Sequence, residues 1–121
     1  MQHQAFPFPH NRLEVFQISL EMATQAKRVA NRVPRGHRTL ADQLLRSSGS
    51  TVLLIGEGAN RYTTGAKRQR YSEARGECGE VAATAELLSV LELVPRKECE
   101  ALLTMAGRVA AMLTRLIKRF A

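Results

Sequence analysis

The sequence predicts an all-α protein, an antiparallel up-down-up-down four-helix bundle. Three observations predict it. Apolar residues recur at spacings of three, four and seven along four successive segments. Helix-stopping and helix-starting residues punctuate those segments at Pro34, Gly36, Gly65 and Pro95. Composition agrees: 45 % of residues are hydrophobic, mostly Ala, Leu and Val, and 5 % are aromatic with no Trp, which suits helix-on-helix packing better than a β-sandwich. The connections are short, so sequential helices run antiparallel. At 121 residues the chain is one domain. A chain of that length buries roughly 60–70 % of its unfolded surface, so one core suffices without staples.

Residues 1–11, with Pro7 and Pro9 among polar side chains, read as a flexible lead-in to a bundle at 12–121. The lead-in lacks the basic start and apolar stretch of a secretory signal, and no apolar run approaches the roughly 20 residues needed to cross a bilayer. A cytoplasmic protein that does not enter a membrane is expected. Cys78 and Cys99 match no metal or redox spacing and read as reduced, buried small hydrophobes.

The first helix is expected over about residues 12–32. Leu13, Phe16, Leu20, Ala23 and Ala30 form one stripe; Val15, Ile18, Met22, Ala26, Val29 and Val33 form a second. Together they span an arc of roughly 200°, wider than one bundle needs, and predict a further burial surface against another subunit. Pro34 and Gly36 end this helix. Thr39 is expected to cap the second, with Asp42 as its capping-box partner, and that helix runs to about Asn60. Leu53 and Leu54 intrude on its polar face. Thr63 or Thr64 caps the third helix, expected over about residues 66–93, with Tyr71, Ala74, Cys78, Val81, Ala85 and Leu88 facing inward. Gly49, Gly56, Gly76 and Gly79 each cost about 1 kcal/mol relative to Ala in a helix, so they predict close backbone approach between the second and third helices. Pro95 opens the fourth helix, whose apolar face runs from Leu102 to Phe120.

The formal net charge is +7, which favours a polyanionic partner. Three stretches carry cations without any acid: 27–38, 58–72, and everything after Glu100. The acids lie mostly inside helices, which predicts two basic ends and an acidic waist. Cations at helix C-termini, such as Arg28, Arg32, Arg61, Arg115, Lys118 and Arg119, are explained by the helix dipole. Arg35, Arg38, Lys67, Arg68 and Arg70 sit instead near helix N-termini, where that dipole disfavours them, and they are the candidate phosphate-binding residues. Arg115 and Arg119 join them because, with Arg108, they fall on one helical stripe, which is either a track for a phosphate backbone or a solvated outer face. Tyr62 and Tyr71 flank the middle cluster at positions from which a base could be stacked, although Tyr71 fits the core.

Catalytic patterns are missing. The histidines are His3, His10 and His37, at no di-metal or zinc spacing, and no phosphate-binding loop or nucleophile elbow is present. No catalytic residue, metal or cofactor is expected.

The segments LEVFQISLE (13–21), RTLADQLLR (38–46), IGEGANR (55–61), the ARG-x-x-x-E core within 68–80, and MLTRLIK (112–118) together resemble the small proteins encoded in intervening sequences of bacterial 23S ribosomal RNA genes. The resemblance implies a four-helix bundle that assembles as a ring-shaped homopentamer with a basic surface. Accessory proteins of diversity-generating retroelements are similar to this family in fold and assembly, and bind a reverse transcriptase and nucleic acid. The implied function is a non-enzymatic oligomeric scaffold for nucleic acid, RNA foremost. The alternative is a protein-interaction adaptor, such as an accessory subunit for a polymerase. Asp42, Arg46, Glu57, Arg61, Arg75 and Glu80 match the family pattern and are expected in an inter-helix or inter-subunit polar network, with Glu57, Arg75 and Glu80 meeting between the second and third helices. Leu54, Gly56 and Glu77 depart from that pattern, where Asn, Ala and Ser are usual.

Overall fold

Four antiparallel helices make the structure, a computed structural model that describes residues 8–121. They are α1 (Glu14–Arg32), α2 (Arg38–Asn60), α3 (Thr64–Val90) and α4 (Arg96–Arg119). Each helix packs on two neighbours: α2 on α3 most extensively, then α3 on α4, α1 on α2, and α1 on α4, which closes the square. The predicted all-α class and four-helix order are therefore present, with no strand among the described residues.

Periodicity decides what is inside. Val15, Ile18, Met22, Ala26 and Val29 of α1 are buried, and they meet Leu44 and Ile55 of α2, Tyr71, Val81 and Leu88 of α3, and Leu102, Val109 and Leu113 of α4. Burying each of the Val, Leu, Ile and Met side chains contributes about 1.5–3 kcal/mol. The buried hydroxyls of Ser19, Ser47 and Thr51 donate to carbonyls of their own helices, at 2.7 Å (Phe16 O), 3.0 Å (Gln43 O) and 2.8 Å (Ser47 O), so these three are satisfied without leaving the helix.

Of the other stripe, Ala30 is buried and Leu13, Phe16, Leu20 and Ala23 are half-buried within the monomer. A 3-10 turn at Pro9–Arg12 docks there. His10 packs edge-on against Phe16 at 4.6 Å, and Asn60 Nδ2 lies 2.8 Å from His10 Nδ1. Gln17 Nε2 donates to Asn11 O at 3.2 Å. The chain thus covers part of the wide apolar arc itself, which removes part of the reason for placing a second subunit there. The last residues of the expected flexible lead-in are packed; the rest of it, residues 1–7, lies outside the described residues.

Two helix starts differ from expectation. Thr39 does not cap α2, because a 3-10 turn at Arg35–His37 runs directly into the helix and puts His37 at the cap with no side-chain bond. Asp42 is then free to approach Arg38, at 3.6 Å. Thr63 does cap α3, its Oγ1 accepting from Ala66 N at 3.2 Å. Pro95 occupies the cap position of α4, with the helix beginning at Arg96.

The third helix stops at Val90, short of the expected 93, in a Schellman turn. Leu93 N donates to Leu88 O and Glu92 N to Ser89 O, both at 3.0 Å. The geometry puts Glu92 at φ 58°, the left-handed region that favours glycine. Glu92→Gly is therefore expected to stabilise the protein by about 1 kcal/mol, a rise of a few degrees in melting temperature. An unchanged or lowered midpoint would show that the Glu92 side chain has a compensating role.

The glycine expectation needs correction. Gly49, Gly76 and Gly79 have open space where a Cβ would stand, and at Gly56 the nearest atom, Phe16 Cε1, is at an ordinary 3.8 Å. The close approach is at Gly58, where a Cβ would lie 2.7 Å from Tyr71 Cε1 and 2.8 Å from Cδ1.

Both cysteines are buried and free. Cys78 Sγ lies 3.2 Å from Ala106 O, and burial pushes its thiol up to about 11, the nearby Arg75 charge opposing only in part. A thiol whose pKa is raised on folding contributes stability below the unfolded value, and loses that contribution as pH rises from about 9 to about 11. Native protein at pH 8 should label with a thiol reagent at the rate of opening. Labelling of Cys78 as fast as in the denatured chain would contradict this burial.

Candidate nucleic-acid interface

An antiparallel bundle sums charges that are far apart in sequence. One end gathers the N-termini of α1 and α3 with the C-termini of α2 and α4. It carries Arg12, Arg61, Lys67, Arg68, Arg70, Arg115, Lys118 and Arg119. The opposite end gathers the C-termini of α1 and α3 with the N-termini of α2 and α4, and it carries Lys27, Arg28, Arg32, Arg35, Arg38, Arg96 and Lys97. The predicted binding residues are therefore not one surface: Arg35 and Arg38 lie a bundle's length from Lys67, Arg68, Arg70, Arg115 and Arg119.

The two ends are not equally basic. At the Arg35 end, α3 and α4 bring in Glu86, Glu92, Glu98 and Glu100. Arg32 pairs with Glu98, Arg96 with Glu100 at 3.1 Å, and Arg38 with Asp42. The acid-free stretch at 27–38 is thus partly offset by acids from elsewhere in the chain; Lys27, Arg28, Arg35 and Lys97 keep no ion pair among the described residues, and this end is the less basic of the two.

At the other end, the expected role of several cations changes for one physical reason. A helix N-terminus in an antiparallel pair lies beside its neighbour's C-terminus, so a cation placed awkwardly for its own dipole suits the next one. Lys67 Nζ donates to Ala59 O at 2.9 Å and lies 3.4 Å from Gly58 O, capping α2. Arg68 Nη1 donates to Phe120 O at 3.0 Å, tying down the end of α4. Arg70 is neutralised by Glu57 at 3.3 Å and Glu73 at 2.9 Å. These three are held by the fold, and their position before α3 needs no anion to explain it.

What remains is a second set. Arg12, Arg115, Lys118 and Arg119 are exposed and make no ion pair among the described residues. Arg115 and Arg119 line one cleft between α1 and α4 with Leu13, Glu14, Met112 and Leu116. Arg119 stands 5.8 Å from the Phe120 ring. Arg61 borders the group, loosely paired to Glu57 at 3.5 Å with both side chains about half exposed. Sequence reading assigned Lys118 to the dipole of its own helix and made nothing of Arg12. The signal was available: in an up-down bundle the start of the first helix and the end of the fourth share an end.

The predicted polar network splits into separate groups. Arg46 of α2 bridges Glu80 and Glu77 of α3, the latter at 3.2 Å, with Gln43 also on Glu80. The Glu80 hydrogen bond raises the Arg46 pKa and Glu77 adds to it, so the guanidinium is firmly charged. Glu77, a departure from the family pattern, is thus a working member of this group. Glu57 joins Arg61 and Arg70, and Asp42 joins Arg38. Arg75 meets neither Glu57 nor Glu80; its Nε donates to Thr114 Oγ1 on α4 at 2.7 Å. Tyr71 is core, its hydroxyl pKa raised by burial, while Tyr62 is fully exposed. Among the described residues no group of His, Cys, Asp and Glu could hold a metal ion, and no helix is long and apolar enough to cross a membrane.

No curated protein matches the sequence. A crystal structure of a protein of unknown function from the S23 ribosomal protein family of Bacteroides thetaiotaomicron is similar in fold. Its TM-score is 0.81 at 23 % identity, with 86 % of this chain and 98 % of that chain covered. Residues 11–115 match the family described as 23S rRNA-intervening sequence protein. The chain, four-helix bundle included, belongs to that family.

Proposed function

We propose that this chain is a non-catalytic scaffold that binds RNA through the end bearing Arg12, Arg115, Lys118 and Arg119, and that it works as a homo-oligomer, a ring of five by family resemblance. The observation that carries the reading is that this end has the larger excess of cations over acids, with those four brought together from two chain-distant segments and left without an ion pair among the described residues. Unpaired, exposed guanidinium and ammonium groups keep their full charge for phosphate. The family's connection to 23S rRNA intervening sequences supports RNA as the polyanion.

Fluorescence anisotropy with a labelled RNA, titrated with salt, tests it. Binding through about four to six phosphates of a single strand is expected to give a log–log slope of about −3 to −4. Absence of binding, or affinity indifferent to salt, contradicts the reading. Light scattering at micromolar concentration tests assembly: a mass several times 13.4 kDa is expected, and a stable monomer contradicts it.

A second reading, a protein-interaction adaptor, is favoured by one observation. Leu87, Val90 and Leu91 are exposed together at the end of α3, away from the cation-rich end. A partner that stays bound after nuclease treatment supports it; release by nuclease contradicts it.

A further inference from the structure

We infer that the cation-rich end binds unpaired nucleotides, with the ring of Tyr62 as a stacking platform for a base. This rests on the RNA-binding reading above and adds the class of ligand.

Tyr62 lies in the three-residue link between Asn60 and Thr64, and its relative exposure is 101 %. Its ring buries nothing and contributes no packing to the fold. The other tyrosine, Tyr71, is 2 % exposed and packs against Phe120, as an aromatic in a bundle is expected to. A polar turn would fold equally well with Ser or Asn at position 62. An aromatic ring held entirely in water there has a use outside the monomer core.

The link that presents it is tied at both sides. Arg61 N donates to Gly58 O at 3.3 Å before it, and Lys67 N to Thr63 O at 3.0 Å after it. Thr63 Oγ1 takes Ala66 N, and the Lys67 ammonium reaches back to Ala59 O. The ring is therefore carried on a braced turn, so little ordering is needed when a base arrives.

Cations share its end of the bundle. Arg61 precedes it directly. The Arg68–Phe120 bond fastens the end of α4 to the N-terminal part of α3, so Lys118 and Arg119 lie at the same end as the link. An aromatic face among phosphate-directed cations is the arrangement that holds single strands, since each base offers a π-face while the backbone follows the charge. A duplex keeps its bases stacked inside and offers such a ring a face only at its two ends.

The absence of Trp from the chain makes the test clean. Tyr62→Trp introduces a lone indole reporter at the turn. Adding a twelve-nucleotide single-stranded RNA should quench its fluorescence, whereas an RNA duplex of the same sequence with both ends closed by hairpin loops of the same length in each comparison should add no quenching beyond that of the loops. Tyr62→Ala should weaken single-strand binding by about 5- to 100-fold and leave the salt slope and melting temperature unchanged, because no phosphate contact or core packing is lost. Quenching by single-stranded DNA to the same degree would support the platform and overturn the restriction to RNA. Salt-dependent binding with an unquenched indole and an unaffected Tyr62→Ala variant would overturn this inference alone. No salt-dependent binding by the unaltered protein would overturn it together with the function beneath it.

Discussion

Gly58→Ala is expected to destabilise the bundle by about 1–3 kcal/mol, although glycine to alanine inside a helix ordinarily stabilises by about 1 kcal/mol. The sign reverses because of one contact. The added methyl would stand 2.7 Å from Tyr71 Cε1, inside any permitted carbon–carbon distance. Tyr71 cannot swing away, being 2 % exposed and packed toward Phe120 with ring centroids 6.0 Å apart. The helices themselves must separate, and α2–α3 is the most extensive pair in the fold. Gly79→Ala is the companion measurement. It meets nothing within 4 Å, so it should gain up to about 1 kcal/mol. Urea denaturation of both variants gives the comparison directly. Equal effects would show that Tyr71 is not seated against Gly58 as described.

Replacing Arg12, Arg115, Lys118 and Arg119 together by Gln is expected to lower RNA affinity on the order of 10²–10³-fold near 0.1 M salt. Each single-strand phosphate contact contributes about −0.7 to the salt slope, equivalent to about a fivefold gain in affinity at 0.1 M relative to 1 M. Removing four therefore lessens the slope by about 3. Stability should change little, since all four side chains are exposed and none is in an ion pair among the described residues. A binding loss with an unchanged slope would mean that these groups act through something other than phosphate.

Much of the architecture was legible because helices announce themselves locally. The stripe Val15, Ile18, Met22, Ala26 and Val29 is a period that no strand could bury on one side, and it is the buried face of α1. Thr63 was legible as a cap because the bond it makes spans three residues. Thr39 was misread because the cap depends on how the preceding loop enters, and the loop after Pro34 enters as a 3-10 turn.

The site was less legible, because it is set by which residues share a level across the bundle. Residues facing each other in an antiparallel pair are about equally far from the intervening turn. Glu57 therefore meets Arg70, and Arg46 meets Glu77 and Glu80. Arg75 belongs to a level between these, and lies about 140° around α3 from Glu80, so it turns to Thr114 instead. The same geometry explains Lys67 and Arg68. Their places at the start of α3 look unfavourable along the chain, but across the bundle they face the carbonyl ends of α2 and α4.

The central claim is that one end of this bundle, and not its overall positive charge, holds nucleic acid. Measuring the salt slope of RNA binding for two charge-matched variants separates these. One carries Gln at Arg12, Arg115, Lys118 and Arg119; the other carries Gln at Lys27, Arg28, Arg35 and Lys97, at the opposite end. The account predicts a slope lessened by about 3 in the first and unchanged in the second. Equal reductions in both, or a larger one in the second, would contradict it.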